Sequence, residues 1–218
     1  NASMSIGSRP VPYAVPCFLY TDAIYRATEM GRAEGVRGLA DGEETLPSNI
    51  KLIYSTAGNM LAGQHSDVNR TVELLLDESL VEFIVTQEQF LTPSARYSDI
   101  VLPACTHMET WGTVSSWKYG PANFLLPKVI EPLYDSKSDY EIAAMLAEKL
   151  GLYDEFTEGG KTEEDWFNQW VDQLVDENPQ IFGDRDAYLE RGSMSVPYPE
   201  EAQPPAFADF FADPEANP

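Results

Sequence analysis

Cysteine, histidine and positive charge are all scarce in this sequence. Its two cysteines, Cys17 and Cys105, stand far apart and form no C-x-x-C pair. Neither a thiolate zinc site nor an iron–sulfur cluster is indicated. They read as two buried free thiols, with a disulfide as the alternative. Against 36 Asp and Glu there are only 14 Lys and Arg, a formal net charge of -22 with a pI near 4.2. That balance excludes nucleic acid and anionic membrane surfaces, both of which demand a basic face. Any anionic ligand must then be held by backbone N–H groups and helix N-termini. No apolar run approaches a membrane span, and no leader peptide is visible. Asn1-Ala2-Ser3 ahead of Met4 reads as a tag remnant, so the missing leader leaves the location of the parent protein open. Also missing are a G-x-G-x-x-G, a nucleophile elbow and a His–Glu spacing suited to a metal.

What is present suffices for a packed core. The hydrophobic content is 43% and the aromatic content 11% over 218 residues, which fits one large domain or a domain with an appendage. TDAIYRATEM (21–30) predicts a short helix with Thr21 as its cap and Gly31 as its stop. The Gly-rich, charged stretch that follows predicts a loop. IKLIYS (50–55) predicts a buried strand. Ser66 can cap a helix with Val68, Val72, Leu75 and Leu76 on one face. VEFIVT (81–86) predicts a second strand, PSARYS (93–98) a helical turn and DIVLPA (99–104) a third strand. Strand, helix, strand, turn, strand is the order of a parallel α/β unit. Beyond Glu109 the chain reads as irregular with short extended pieces. SDYEIAAMLAEKLG predicts a helix with a Ser138–Glu141 capping box, inward Ile142, Met145 and Leu146, and Gly151 as its stop. TEEDWFNQWVDQLV (162–175) predicts another, with Thr162 as cap and Trp166, Trp170 and Leu174 as a core stripe. From Val196 onward the chain is Pro- and acid-rich.

Chemistry concentrates in STAGNMLAGQHSDVNR (55–70), between the first strand and its helix. Ligands bind at the carboxyl ends of parallel strands. Ala57 and Gly58 permit close backbone approach, and Asn59 both donates and accepts. The following helix aims free N–H groups at the same crevice. The second strand ends in Thr86-Gln87-Glu88, where an acidic side chain can accept from ribose hydroxyls or a guanine edge. Gly58, Asn59 and Glu88 are expected to line one crevice. His65 sits in the loop, and a polar residue near a helix start is an equally fair reading of it. His107 reads as structural. An ordinary turn with nothing bound stays open as the alternative for the whole loop.

IKLIYSTAGNMLAGQHSDVNRTVELL and VEFIVTQEQFLTPSARYSDIVLPACTHMETWG together resemble the dimethyl sulfoxide reductase family of molybdopterin oxidoreductases. PCFLYTDAIYRATEMGRAEGVRG is similar to the branch of membrane-associated catalytic subunits, and FADFFADPEANP to the passage into that family's capping barrel. The resemblance implies one molybdenum held between two molybdopterin guanine dinucleotides, a bis(molybdopterin guanine dinucleotide) cofactor, with this chain as the later part of one dinucleotide-binding domain. Ala57, Gly58 and Asn59 would lie against the dinucleotide, and Gln64 and His65 near the pterin. Gln87 and Glu88 would address the guanosine, with hydroxyls from Thr92 and Ser94 added. Asp99 would fix the strand entry.

The resemblance also implies oxygen-atom transfer from an S-oxide or N-oxide, electrons from an iron–sulfur subunit, a membrane anchor subunit and an extracytoplasmic, membrane-associated parent. The metal's side-chain ligand, the cysteine-rich segment and the second dinucleotide domain have no counterpart here. The chain is therefore expected to be an inactive fragment that holds no cofactor alone, with no catalytic or metal-ligating residue of its own. The expected fold is an α/β, Rossmann-like three-layer parallel-sheet unit with additional C-terminal helices. Its divisions are an N-terminal segment (1–49), the dinucleotide-binding part (50–155) and a helical extension with tail (156–218). The rival readings are a stand-alone nucleotide-dependent oxidoreductase and a non-enzymatic acidic interaction module.

Overall fold

The structure, a computed structural model, describes residues 12–63, 67–115, 122–195 and 207–216. In chain order its helices are α1 (Tyr20–Arg26), α2 (Met60–Gly63), α3 (Val68–Leu75), α4 (Asp139–Leu150), α5 (Tyr153–Thr157), α6 (Glu163–Glu177), α7 (Pro179–Phe182), α8 (Arg185–Arg191) and α9 (Ala208–Ala212). Its strands are β1 (Leu52–Thr56), β2 (Phe83–Glu88), β3 (Ile100–Pro103), β4 (Gly112–Ser115), β5 (Ala122–Leu126) and β6 (Ser193–Ser195). The chain divides into two compact units, Asn1–Gly112 with Pro127–Trp170, and Thr113–Leu126 with Val171–Pro218.

The first unit is the expected α/β structure. Its sheet runs β1-β2-β3, parallel throughout, with Leu52 opposite Phe83, Thr56 opposite Gln87 and Val85 opposite Ile100. The β-branched and aromatic residues of these strands suit a pleated surface. Alternation sends Ile53 and Ile84 to the face where Tyr20, Ile24, Leu61, Leu75 and Val81 close a core. A second cluster forms around Ala23, Ala27 and Met30. It draws Val36, Leu39 and Leu46 from the Gly-rich stretch, which is irregular as expected yet contributes buried side chains. Thr86 and Ser98 hydroxyls meet at 2.6 Å, and Asp99 accepts from Ile84 N–H at 2.7 Å, fixing the entry to β3.

Several local expectations shift. Thr21 caps nothing: α1 begins at Tyr20, continuing a 3₁₀ turn at Cys17–Leu19. Strand β2 runs from Phe83 rather than Val81, because Leu80 and Val81 N–H groups bond back to Asp77 and Val81 belongs to the core. On α3 the inward pair is Thr71 and Leu75, while Leu76 is 64% exposed. Beside Thr71, Tyr20 donates its hydroxyl to Leu61 O at 2.5 Å, and burial pushes that hydroxyl up to about 12. The proposed cap Ser66 lies outside the described residues. Cys105 is buried and Cys17 exposed, both as free thiols.

Helix α4 carries its capping box in full: Glu141 N–H donates to Ser138 Oγ at 3.1 Å and Ser138 N–H to Glu141 Oε2 at 2.9 Å. Gly151 ends it in the left-handed region at φ 73°. Its buried face is Ile142, Ala144 and Ala147, not Met145 and Leu146, which are 53% and 44% exposed. Small alanines permit the close approach that the longer side chains would block. At α6, Thr162 and Asp165 cap each other reciprocally, at 2.8 and 3.2 Å. The buried stripe is Phe167, Val171 and Val175, one residue along from the expected Trp166, Trp170 and Leu174, which are half-buried beside it.

The second unit holds a sheet ordered β4-β5-β6, with β5 and β6 antiparallel and Asn123 opposite Met194. Fully buried Tyr188 from α8 donates its hydroxyl to Asn123 Oδ1, and its ring meets Phe182 edge-on at 4.9 Å.

Ile24→Ala empties a fully buried site and is expected to cost about 2–5 kcal/mol. Met145→Ala, on the exposed side of α4, should stay within roughly 0.5 kcal/mol. Urea unfolding of the two variants checks both, and a large loss at Met145 would restore the pattern-based assignment of the inward face.

Candidate functional site

The parallel register delivers the ends of β1 and β2 to the same edge. Ala57 N–H still bonds Gln87 O at 3.1 Å, one rung beyond the strand. There the chain bends. Ala57 takes φ 49° and Gly58 φ 150°, the first a left-handed conformation that an alanine adopts only under constraint. Gly58 N–H donates to Glu88 Oε2 at 2.7 Å, and Gln89 N–H to Glu88 Oε1 at 2.7 Å. Gly58 and Glu88, expected with Asn59 to line one crevice, are bonded directly to each other. Among the described residues, a Cβ built on Gly58 finds nothing within 4 Å, so these leave the space over the bend open.

Asn59 faces the other loop. Its Oδ1 accepts from Ser94 N–H at 3.0 Å and from Ser94 Oγ at 2.7 Å, while Ala62 N–H donates to Ser94 Oγ at 2.8 Å. Ser94 is fully buried. Thr92 Oγ1 accepts from Ala95 N–H at 3.2 Å and starts the short 3₁₀ turn. The Asn59 side chain lies over Gly63, where a Cβ would stand 2.1 Å from Nδ2. Gly63 is thus a packing requirement of Asn59, one helical turn away.

Gln87 is 5% exposed and engaged from two sides. Tyr54 OH donates to its Oε1 at 2.5 Å, and its Nε2 donates to Asp139 Oδ1 at 2.5 Å. The structure thus joins Gly58 with Glu88 and Asn59 with Ser94, and ties Gln87 to α4 instead. Gln64 and His65 lie outside the described residues. His107 is exposed at the surface. Tyr54, Gly63 and Asp139 were not singled out from the sequence. An Asn-x-x-x-Gly spacing was a signal for Gly63, but nothing local announces Asp139, 52 positions from Gln87.

Two clefts adjoin this edge and α4. One of about 400 Å³ is lined by Gln89, Pro103 and Ala104 at the strand ends, together with Glu109 and Tyr134. Another, of about 580 Å³, is lined by Trp111, Lys128, Tyr140 and Glu163 among others. Burial pushes the Glu163 carboxyl up, opposed by bonds to Ser138 and the Trp111 backbone. Glu109 is buried and accepts from Thr106 N–H and Oγ1 at 2.7 Å and from Leu133 N–H at 2.6 Å. The Thr106 and Leu133 backbone N–H groups, with the Thr106 hydroxyl, hold its carboxyl below the ordinary 4.5. A Thr-x-x-Glu spacing was its sequence signal. Among the described residues, no group of three or more His, Cys, Asp and Glu is placed to hold a metal ion, and no helix is long and apolar enough to cross a membrane.

These features define a parallel α/β unit with a glycine-bearing bend and a carboxylate at its strand ends. The chain belongs to the molybdopterin oxidoreductase family, which it matches over residues 22–149. The dimethyl sulfoxide reductase DmsA of Haemophilus influenzae is 35% identical over 215 residues, 96% of this chain and 25% of that protein. The dimethyl sulfoxide/trimethylamine N-oxide reductase of Rhodobacter capsulatus is 34% identical over 203 residues, 89% of this chain and 24% of that protein. This chain thus spans about a quarter of the length of these relatives. Among solved structures, acetylene hydratase from Pelobacter acetylenicus shares the fold, with a TM-score of 0.57 and 21% identity over 85% of this chain and 21% of that one.

Ser94→Ala leaves Ala62 N–H without its buried acceptor and takes away one of the two donors to Asn59 Oδ1, the residue 94 N–H remaining, and is expected to cost about 1–3 kcal/mol in urea unfolding. Gly63→Ala should lose stability as well and shift the side-chain amide resonances of Asn59. For Glu109 the folded carboxyl lies below its unfolded value, so its contribution is present above the unfolded value and lost as pH falls through the folded one. Glu109→Gln should therefore lower the urea midpoint at neutral pH, with the gap from wild type shrinking below about pH 4. A gap that widens in acid would reverse the assignment.

Proposed function

We propose that this chain is the part of a molybdenum oxidoreductase that binds and orients one molybdopterin guanine dinucleotide, and that the parent reduces S-oxides or N-oxides by oxygen-atom transfer. The observation that carries this reading is the open bend at Gly58, bonded to Glu88 at the carboxyl ends of parallel strands. The family match and the relatives named as dimethyl sulfoxide reductases support the reaction class.

The residues present fit a dinucleotide. None of the described residues fills the space a Cβ of Gly58 would take, which lets a phosphate or sugar approach the backbone there. With a net charge of -22, recognition rests on N–H groups and neutral polar side chains rather than on lysines. Of the described residues that the resemblance assigns to it, Ala57, Gly58 and Thr92 would border the dinucleotide directly, while Asn59, Gln87, Glu88 and Ser94 shape its rim through their bonds to the protein. When bound, the molybdenum cofactor supplies the redox chemistry, and the protein supplies binding and orientation. By the same resemblance an iron–sulfur subunit delivers electrons, a membrane anchor subunit holds the assembly, and the parent lies extracytoplasmically against the membrane.

Calorimetric titration of the 218-residue chain with GDP and with NAD tests the assignment. GDP is expected to bind more tightly and to shift the amide resonances of Gly58 and Asn59. Gly58→Val should weaken GDP binding roughly tenfold, about 1.4 kcal/mol. Preference for NAD would favour a stand-alone dehydrogenase instead, and indifference to both would favour an acidic interaction module.

A further inference from the structure

Glu88 sits where the sequence suggests a ligand acceptor, yet both of its carboxylate oxygens serve the protein's own backbone. One takes Gly58 N–H and the other Gln89 N–H, each at 2.7 Å. The reason lies in the ladder. Gln87 O receives the last β1-side rung from Ala57 N–H. The next carbonyl, Glu88 O, is turned to the opposite edge and accepts from Ala104 N–H at 3.2 Å. The Gly58 N–H goes to no β2 carbonyl but to the Glu88 carboxylate, and the left-handed φ of 49° at Ala57, one residue before it, has broken the strand's alternation. The Glu88 side chain receives that N–H as a charged acceptor, the stronger kind.

We propose that Glu88 is a positioning residue: it holds the Gly58 bend in its ligand-ready shape and acts on the nucleotide through Gly58, not by contacting the guanosine. This rests on the nucleotide reading above. The geometry favours a bridge over a mere stand-in for a ligand anion. A stand-in would need only the Gly58 N–H, whereas this carboxylate spans both loops. The open side of Gly58 stays free while the bond is made, so ligand and carboxylate use different faces of the bend. Asn59 and Ser94 brace the same pair of loops one residue further on.

Amide hydrogen exchange by NMR on the whole 218-residue chain, without ligand and with GDP, tests this. Without ligand, Glu88→Ala should speed exchange at Gly58 and Gln89 by roughly 10- to 100-fold, with Ile84 and Val85 unchanged. The isosteric Glu88→Gln, which keeps one acceptor oxygen, should lie between, and serves alone if the alanine variant fails to fold. GDP affinity should fall in Glu88→Ala and recover in part in Glu88→Gln. In wild type, Gly58 should remain protected when GDP binds. Unchanged Gly58 exchange in the variants overturns the proposal. So does tighter GDP binding on removing the carboxylate, or loss of Gly58 protection on adding GDP to wild type, since either means the carboxylate blocks the site. A wild-type chain that ignores GDP overturns the nucleotide reading, and the ligand-free exchange then separately upholds or overturns the Glu88–Gly58 link.

Discussion

The parallel pairing of β1 with β2 is the constraint on which the rest of the first unit depends. With Thr56 opposite Gln87, the residues one and two places further on, Ala57 with Gly58 and Glu88 with Gln89, must emerge side by side. A slip of β1 by one residue would turn Ile53 away from the core and Tyr54 into it, out of step with Ile84 on β2. The burial of Ile84, Leu61, Leu75 and Tyr20 on one face therefore sets the register, and the register sets the site. The strained backbone at Ala57 is tolerated because the loop is bonded on both sides of it, through Gln87 O and the Glu88 carboxylate.

The polar residues of the rim divide into two kinds. Glu88, Asn59 and Ser94 spend their hydrogen bonds on the loops that carry them. Gln87 spends its own on Tyr54 and on Asp139 at the start of α4. What remains open toward a ligand is backbone and the space over Gly58. That division suits a chain with so few cations, because a held glycine bend lets a group lie close against backbone without a positive side chain. It also makes the site a property of several distant segments, residues 54–63, 87–94 and 139, rather than of one motif.

Much of the architecture was legible. The three strands, the turn at 95–97, the capping box of α4 and the Thr162 cap of α6 follow from short-range chemistry: β-branched runs, Ser and Thr caps, a glycine in the left-handed region. The meeting of Gly58 and Glu88 was legible too, since both follow adjacent parallel strands. The inward faces of α3, α4 and α6 were read less well. Hydrophobicity favoured Leu76, Met145 and Trp166, but helix rotation is decided by what the neighbours leave room for, and that selects Thr71, Ala144 and Phe167.

By itself, then, the sequence determined which segments extend, which coil and where the caps and bends fall, because those choices rest on contacts within a few residues. It also carried the family, through a set of short motifs spread over most of the chain. The tertiary structure alone decided the partner of each polar side chain. Gln87 with Asp139, Asn59 with Ser94 over Gly63, and Glu109 with Leu133 are pairings between segments 24 to 52 residues apart. No local pattern encodes them. They arise only once the core has chosen the register of the strands and the rotation of the helices, and buried polar groups have then taken the partners within reach.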